Sequence, residues 1–176
     1  KALATAVRAA HAAGKLMRLN LRKAKVVNTA TAYDIKLELD VRCQKLIEKI
    51  LRAALPKIAV LGEEGDSGAV NEEYRWVVDP IDGTVNFAHA IPHACVSIAL
   101  QVRSLKSEVQ GPKSRTTHHA SRLTNYQSIV GVVYDPFQDE LWTAARDGPA
   151  WLNGRVIHVS QRRELREAIV SMGFGK

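Results

Sequence analysis

Four acidic residues stand where apolar runs end. Glu63 and Glu64 follow Ile58-Ala59-Val60-Leu61-Gly62, Asp79 closes Trp76-Val77-Val78, and Asp82 comes within a turn of it. Clustered carboxylates raise one another's pKa unless a cation compensates. Hard oxygen ligands suit Mg²⁺, which favours octahedral geometry and often meets substrate phosphates. Pro80 stiffens the turn between the aspartates, and Gly83 lets the backbone bend sharply or approach a ligand closely. The N–H groups of Gly83 and Thr84 could receive a phosphate, more strongly if a helix begins there. The Thr84 hydroxyl could orient a water. Singly, each pattern also fits a solvated surface turn; together, each directly after an apolar strand, they define a candidate site.

The elements that must hold these groups follow from periodicity. Leu3, Ala6, Val7, Ala10, Ala13, Leu16 and Leu19 recur at helical spacing, so an amphipathic helix is expected over Ala2–Arg22. Tyr33, Ile35, Leu37 and Leu39 alternate with Asp34, Lys36 and Glu38, the mark of an extended segment. Asp40 can cap a following helix whose inner face is Leu46, Ile47, Ile50, Leu51 and Ala54, and Pro56 ends it. Strands are expected at Ile58–Leu61, Trp76–Val78, Ala94–Val102, Ser128–Tyr134, Leu141–Ala144 and Val156–Val159, with turns at Asp147-Gly148 and Asn153-Gly154. Ser160 is expected to cap a short helix through Ala168, and Ile169–Met172 to start another strand. Helices first, then a largely antiparallel sheet, is an α+β order. The polar, basic stretch at about 104–126 fits neither period and reads as a surface insertion. Its adjacent His118 and His119 lack metal-ligand geometry.

Asp79-Pro80-Ile81-Asp82-Gly83-Thr84, followed by Asn86-Phe87, resembles the signature of the inositol monophosphatase family, as does Gly62-Glu63-Glu64 upstream. The resemblance continues through Asp34, Val96-Ser97-Ile98, Gly131-Val132-Val133-Tyr134, Asn153-Gly154 and Val159-Ser160, and leaves out only the insertion. It implies the N-terminal lobe of a layered α-β-α-β-α sugar-phosphatase fold, with two long helices on the sheet. It implies a Mg²⁺-dependent, lithium-sensitive hydrolase of a small phosphorylated polyol or sugar, inositol monophosphate being the first choice. By the resemblance, Glu63, Asp79 and the Ile81 carbonyl would hold one Mg²⁺, and Asp79 and Asp82 a second. Glu63 would reach a third, weaker ion through water. Asp34 and Thr84 match the pair that activates the attacking water, and Asp82, Gly83 and Thr84 the phosphate contacts. A homodimer is expected on the same ground. Family members continue for roughly another hundred residues, a domain's worth. That half carries a further aspartate ligand and most sugar contacts, so a chain of this extent is expected to be one lobe of a longer enzyme.

Composition excludes several other classes. Hydrophobic residues make up 46% and charged residues 24%, which suits a globular domain, and no apolar run approaches a membrane span. Cys43 and Cys95 are too few for a disulfide scaffold and suit a reducing, cytoplasmic setting. Lys1, Arg8, Lys15, Arg18, Arg22, Lys23 and Lys25 precede the first acid, Asp34; the remaining 18 basic residues balance 18 acidic ones. The plain reading of that start is a solvated helix face, and its lack of Ser disfavours a transit peptide. The alternative function is a binding or regulatory module, catalytically incomplete, that uses the basic helix and insertion. Nucleic acid is not the expected partner, because Tyr126 alone supplies an aromatic ring in the insertion. His89, His93, Trp76, Trp142 and Trp151 read as packing residues, and neither cysteine as a nucleophile.

Overall fold

A computed structural model describes residues 1–30, 35–68, 73–103 and 126–170. Helix α1 (Ala2–Asn20) presents small residues to its neighbours: Ala6, Ala9, Ala10, Ala13 and Gly14 are buried. Small side chains let packed elements approach closely. At Gly14 a Cβ would lie 2.5 Å from Tyr134 Cε1, so that residue admits nothing larger. The end of α1 is capped by Lys25, whose Nζ donates to the carbonyls of Asn20, Leu21 and Lys23 at 2.9, 2.5 and 2.8 Å. The same ammonium lies 4.9 Å from the centre of the Phe87 ring, just after the signature segment.

A short antiparallel pair follows, β1 (Val27–Ala30) with β2 (Ile35–Leu37). Helix α2 (Glu38–Ala54) starts immediately after β2. Leu39, Cys43, Ile47 and Leu51 recur every four residues and are buried. Asp40 caps this helix from inside its first turn: its Oδ2 accepts the Leu37 N–H at 2.7 Å. The expected extended segment therefore ends at Leu37, two residues early, because α2 takes Glu38 and Leu39.

Seven strands form one sheet in sequence order: β3 (Ala59–Gly62), β4 (Tyr74–Asp82), β5 (Cys95–Arg103), β6 (Tyr126–Asp135), β7 (Glu140–Ala145), β8 (Ala150–Leu152) and β9 (Arg155–Ile157). The pair β3–β4 is parallel and the others antiparallel. A five-residue helix, α3 (Thr84–Ala88), follows β4. Helices α1 and α2 pack on one face of β4–β6. Trp76, Val78, Val96, Ile98, Leu100, Val130, Val132 and Tyr134 meet them there and are buried. Each large apolar side chain so buried contributes about 1.5–3 kcal/mol before packing and entropy are counted. The other face carries Val77, Asp79, Ser97, Ala99, Gly131 and Val133, all half-buried. This is the expected mixed fold of two long helices on a largely antiparallel sheet.

Two expectations near the end fail. The helix expected from Ser160 to Ala168 is a single 3-10 turn, Leu165–Glu167. Ser160 Oγ accepts the Arg162 N–H at 3.1 Å, and the flanking residues 160–164 and 166–168 are exposed, so they offer a longer helix little burial. Ile169 and Val170 are exposed and lie in no strand, while residues 171 and 172 fall outside the described set. Strands β1 and β8 were not expected, each being too short to show a period. The insertion lies outside the described residues except for Tyr126, which begins β6.

Candidate active site

A regular strand would set Asp79 and Asp82 on opposite faces, since their spacing is odd. Here the ladder to β5 shifts register: Asp79 pairs with Ser97 and Asp82 with Cys95, so Pro80 and Ile81 together oppose Val96. That is a β-bulge, and it tolerates a proline that has no N–H to donate. Burial follows the shift. Trp76, Val78 and Pro80 are buried in alternation, then Ile81 is buried too, and Asp82 emerges exposed. Both aspartates thereby reach the face that the helices leave uncovered.

Glu63 joins them from the turn after β3, where its N–H donates to the Val78 carbonyl at 3.2 Å. The Asp79 carboxyl is pushed up to about 7. Burial is the largest cause, followed by the charge of Glu63 and a hydrogen bond shared with it, then the charge of Asp82; the Ile81 N–H acts the other way. Asp79 Oδ1 is buried with no hydrogen-bond partner. A close acidic pair with an orphaned oxygen fits a hard divalent cation, which would satisfy that oxygen and cancel the repulsion. Asp82 acts on Asp79 by charge alone, and among the described residues no three acidic, histidine or cysteine side chains converge on one point.

Gly83 has φ 93°, and a Cβ there would lie 2.9 Å from the His93 carbonyl oxygen. Only glycine meets both conditions without strain. The chain then turns into α3 at Thr84. The Thr84 hydroxyl donates to the Ile81 carbonyl at 2.8 Å. Its lone pairs remain available to a water, while the carbonyl assigned to an ion already accepts one hydrogen bond.

A cavity of about 470 Å³ opens beside Asp82, lined also by Gly83, His93, Cys95, Asp135 and Trp142. The Cys95 thiol donates to Asp82 Oδ2 at 3.7 Å. Burial first, and then the neighbouring acids, push that thiol up to about 12, so it stays protonated. The structure thus brings Glu63, Asp79, Ile81, Asp82, Gly83 and Thr84 to one end of β3 and β4. Asp34 lies outside the described residues. Sequence reading assigned Asp40 only a capping role. It is 3% exposed and stands one turn before Gln44, which reaches the turn bearing Glu63. A burial pattern alone could not have announced it, because capping aspartates occupy the same position.

The helix-on-sheet fold with paired carboxylates at strand ends defines a mixed α/β architecture with a candidate cation site. The model of the inositol monophosphatase family matches residues 1–107 and 122–175. Inositol monophosphatase 2 of Solanum lycopersicum is 34% identical over 175 residues, covering 97% of this chain and 58% of the relative. Nus factor SuhB of Pseudomonas aeruginosa is 37% identical over 174 residues, covering 96% and 56%. Among solved structures, the extragenic suppressor protein suhB from Bartonella henselae superposes with a TM-score of 0.75 at 32% identity, over 92% of this chain and 55% of that one. The inositol monophosphatase from Anabaena gives 0.66 at 34% identity, over 93% and 51%. The chain belongs to the inositol monophosphatase family. It spans a little over half the length of these relatives.

Proposed function

We propose that the protein hydrolyses a small phosphate monoester with Mg²⁺, inositol monophosphate being the first choice. The buried, unpartnered Asp79 Oδ1 beside Glu63 carries this reading. Glu63, Asp79 and the Ile81 carbonyl would hold one ion, Asp79 and Asp82 a second, and Glu63 a third, weaker one through water. Bound there, Mg²⁺ supplies an acidified water and charge neutralisation of the phosphate. The chain's own part is positional. Backbone N–H groups at Gly83 and Thr84 receive phosphate oxygens, and the Thr84 oxygen orients a water whose proton passes to a carboxylate. The resemblance assigns that base to Asp34; Asp40, buried one helix turn before Gln44, is the second candidate. Release of alcohol and phosphate then needs no covalent intermediate on the protein.

The test is phosphate release from inositol monophosphate and a panel of sugar phosphates, with and without Mg²⁺. It is run on this chain and on the full product of its gene. Activity that Asp82→Asn abolishes supports the reading; absence of release from every ester in both proteins overturns it. Asp34→Asn and Asp40→Asn, compared at saturating Mg²⁺, decide which carboxylate is the base.

One observation favours a second reading. Arg8, Lys15 and Arg18 run along one exposed side of α1, which holds no acid, the exposed Arg22 follows its end, and one relative is called a Nus factor. RNA binding that weakens steeply with salt and is lost on replacing Arg8, Lys15 and Arg22 would support that reading.

A further inference from the structure

We infer that Gln44 is a positioning residue for the candidate metal site: through its side-chain amide, α2 fixes the turn that presents Glu63. The inference rests on reading Glu63 and Asp79 as ion ligands. Gln44 is 4% exposed, in the middle of α2. Its Oε1 accepts the Glu64 N–H at 2.9 Å. Its Nε2 donates to the Gly65 carbonyl at 2.7 Å and to Glu48 Oε1 at 2.9 Å. One amide thus grips two successive residues of the turn from Gly62 to Gly65.

The remaining anchors bracket the same residue. Gly65 N–H closes the turn on the Gly62 carbonyl at 3.2 Å, and Glu63 N–H ties it to Val78, the residue before Asp79, also at 3.2 Å. A Cβ on Gly62 would overlap the Gln44 amide, so the glycine is what lets the helix side chain come this close. Gly65 itself sits at φ 119°, a conformation that other residues avoid.

The chemistry selects glutamine. The position needs an acceptor for one N–H and a donor for the next carbonyl at the same reach. Glutamate offers only acceptors and would set a second carboxylate against Glu48. Leucine offers neither. Asparagine is one methylene short. Without the grip, repulsion from Asp79 would turn the exposed Glu63 side chain toward solvent. With it, the acidic pair stays assembled before an ion arrives. Such outer groups commonly set metal affinity by about 10–100-fold.

The experiment is Mg²⁺ titration by calorimetry on the whole chain, comparing wild type with Gln44→Leu, Gln44→Glu and Glu48→Gln. Urea midpoints are taken on the same samples without metal. Gln44→Leu is expected to weaken Mg²⁺ about tenfold. Gln44→Glu, which keeps the Glu64 bond, should fall between it and wild type, and Glu48→Gln should bind as wild type does. Should the leucine variant not fold, the glutamate variant carries the comparison. Folded variants at position 44 that bind within twofold of wild type overturn the positioning role alone. A wild type that binds no Mg²⁺ overturns both the role and the reading beneath it.

Discussion

Asp79→Asn should stabilise the metal-free protein at alkaline pH while removing its response to Mg²⁺. The Asp79 carboxyl rises from an ordinary 3.8 to about 7 because burial, and then Glu63 and Asp82, oppose its charge. A group whose proton affinity is raised by folding contributes stability that is complete below its unfolded pKa. That stability is lost as the pH climbs through the folded value. The metal-free protein should therefore weaken between about pH 4 and pH 7 and then level off. At about 1.4 kcal/mol per pH unit, a difference of roughly three gives a ceiling near 4 kcal/mol. The group is only half-buried, and solvent screening brings the working figure to about 2 kcal/mol. Asparagine has nearly the same shape and cannot ionise. Its amide still accepts the Ile81 N–H and can donate to Glu63. In chelator at pH 8 the variant should thus exceed wild type by about 2 kcal/mol, roughly 1 M in urea midpoint for a slope near 2 kcal/mol/M. At pH 4 the two should coincide. The fully buried Trp76, on the same strand, gives the fluorescence signal. Adding Mg²⁺ should raise wild type and leave the variant unmoved. Parallel midpoints for the two proteins from pH 4 to pH 9 would refute the argument.

Gly83→Ala should cost about 1–2 kcal/mol, because alanine must adopt φ 93° against the His93 carbonyl; an unchanged urea midpoint would contradict that strain. Thr84→Val should lower kcat for phosphate release by on the order of 10²-fold, with Thr84→Ser retaining most of it. Equal losses in the two variants would remove the hydroxyl from the mechanism. Cys43 and Cys95, both pushed up to about 12, should alkylate with iodoacetamide at pH 8 about 10³-fold more slowly than a free thiol. Asp82→Asn should speed Cys95 alone, and mass spectrometry that finds wild-type Cys95 modified at a free-thiol rate would show that burial and the neighbouring acids do not hold it protonated.

The carboxylates just after β3 and toward the end of β4 were legible because each follows an apolar run, and Gly83 because its neighbours demand a turn. Their roles came from the resemblance. What stayed hidden depends on partners distant in sequence. Gln44 meets Glu64 and Gly65 across roughly twenty positions, and no local pattern marks a glutamine for that reach. Strand β8 spans three residues between two turn dipeptides, too few for alternation to show. Asp40 reads as the residue before a helix but lies inside one, since Leu37 can start α2 once its own N–H is satisfied by that carboxylate. Around Ser160 the chain has a capping residue and good helix formers, yet residues 160–164 and 166–168 are exposed, and among the described residues there a 3-10 turn forms instead.

The break in periodicity explains why the chemistry sits where it does. Helices α1 and α2 occupy one face of the sheet, so a carboxylate on that side would be buried without solvent or substrate. Strand β4 alternates toward the helices at Trp76, Val78 and Pro80, which commits Asp79 to the open face and would commit Asp82 to the covered one. The bulge opposite Val96 spends one extra residue, Ile81, in the core, and returns Asp82 to the side of Asp79. The same step leaves the Ile81 carbonyl to receive Thr84 and delivers the chain to Gly83. A strand of identical composition but regular register would keep every acidic residue and lose the site. Deleting Ile81, or replacing Pro80 with a residue that completes the ladder, should therefore weaken Mg²⁺ binding as severely as Asp79→Asn does, although no carboxylate is removed.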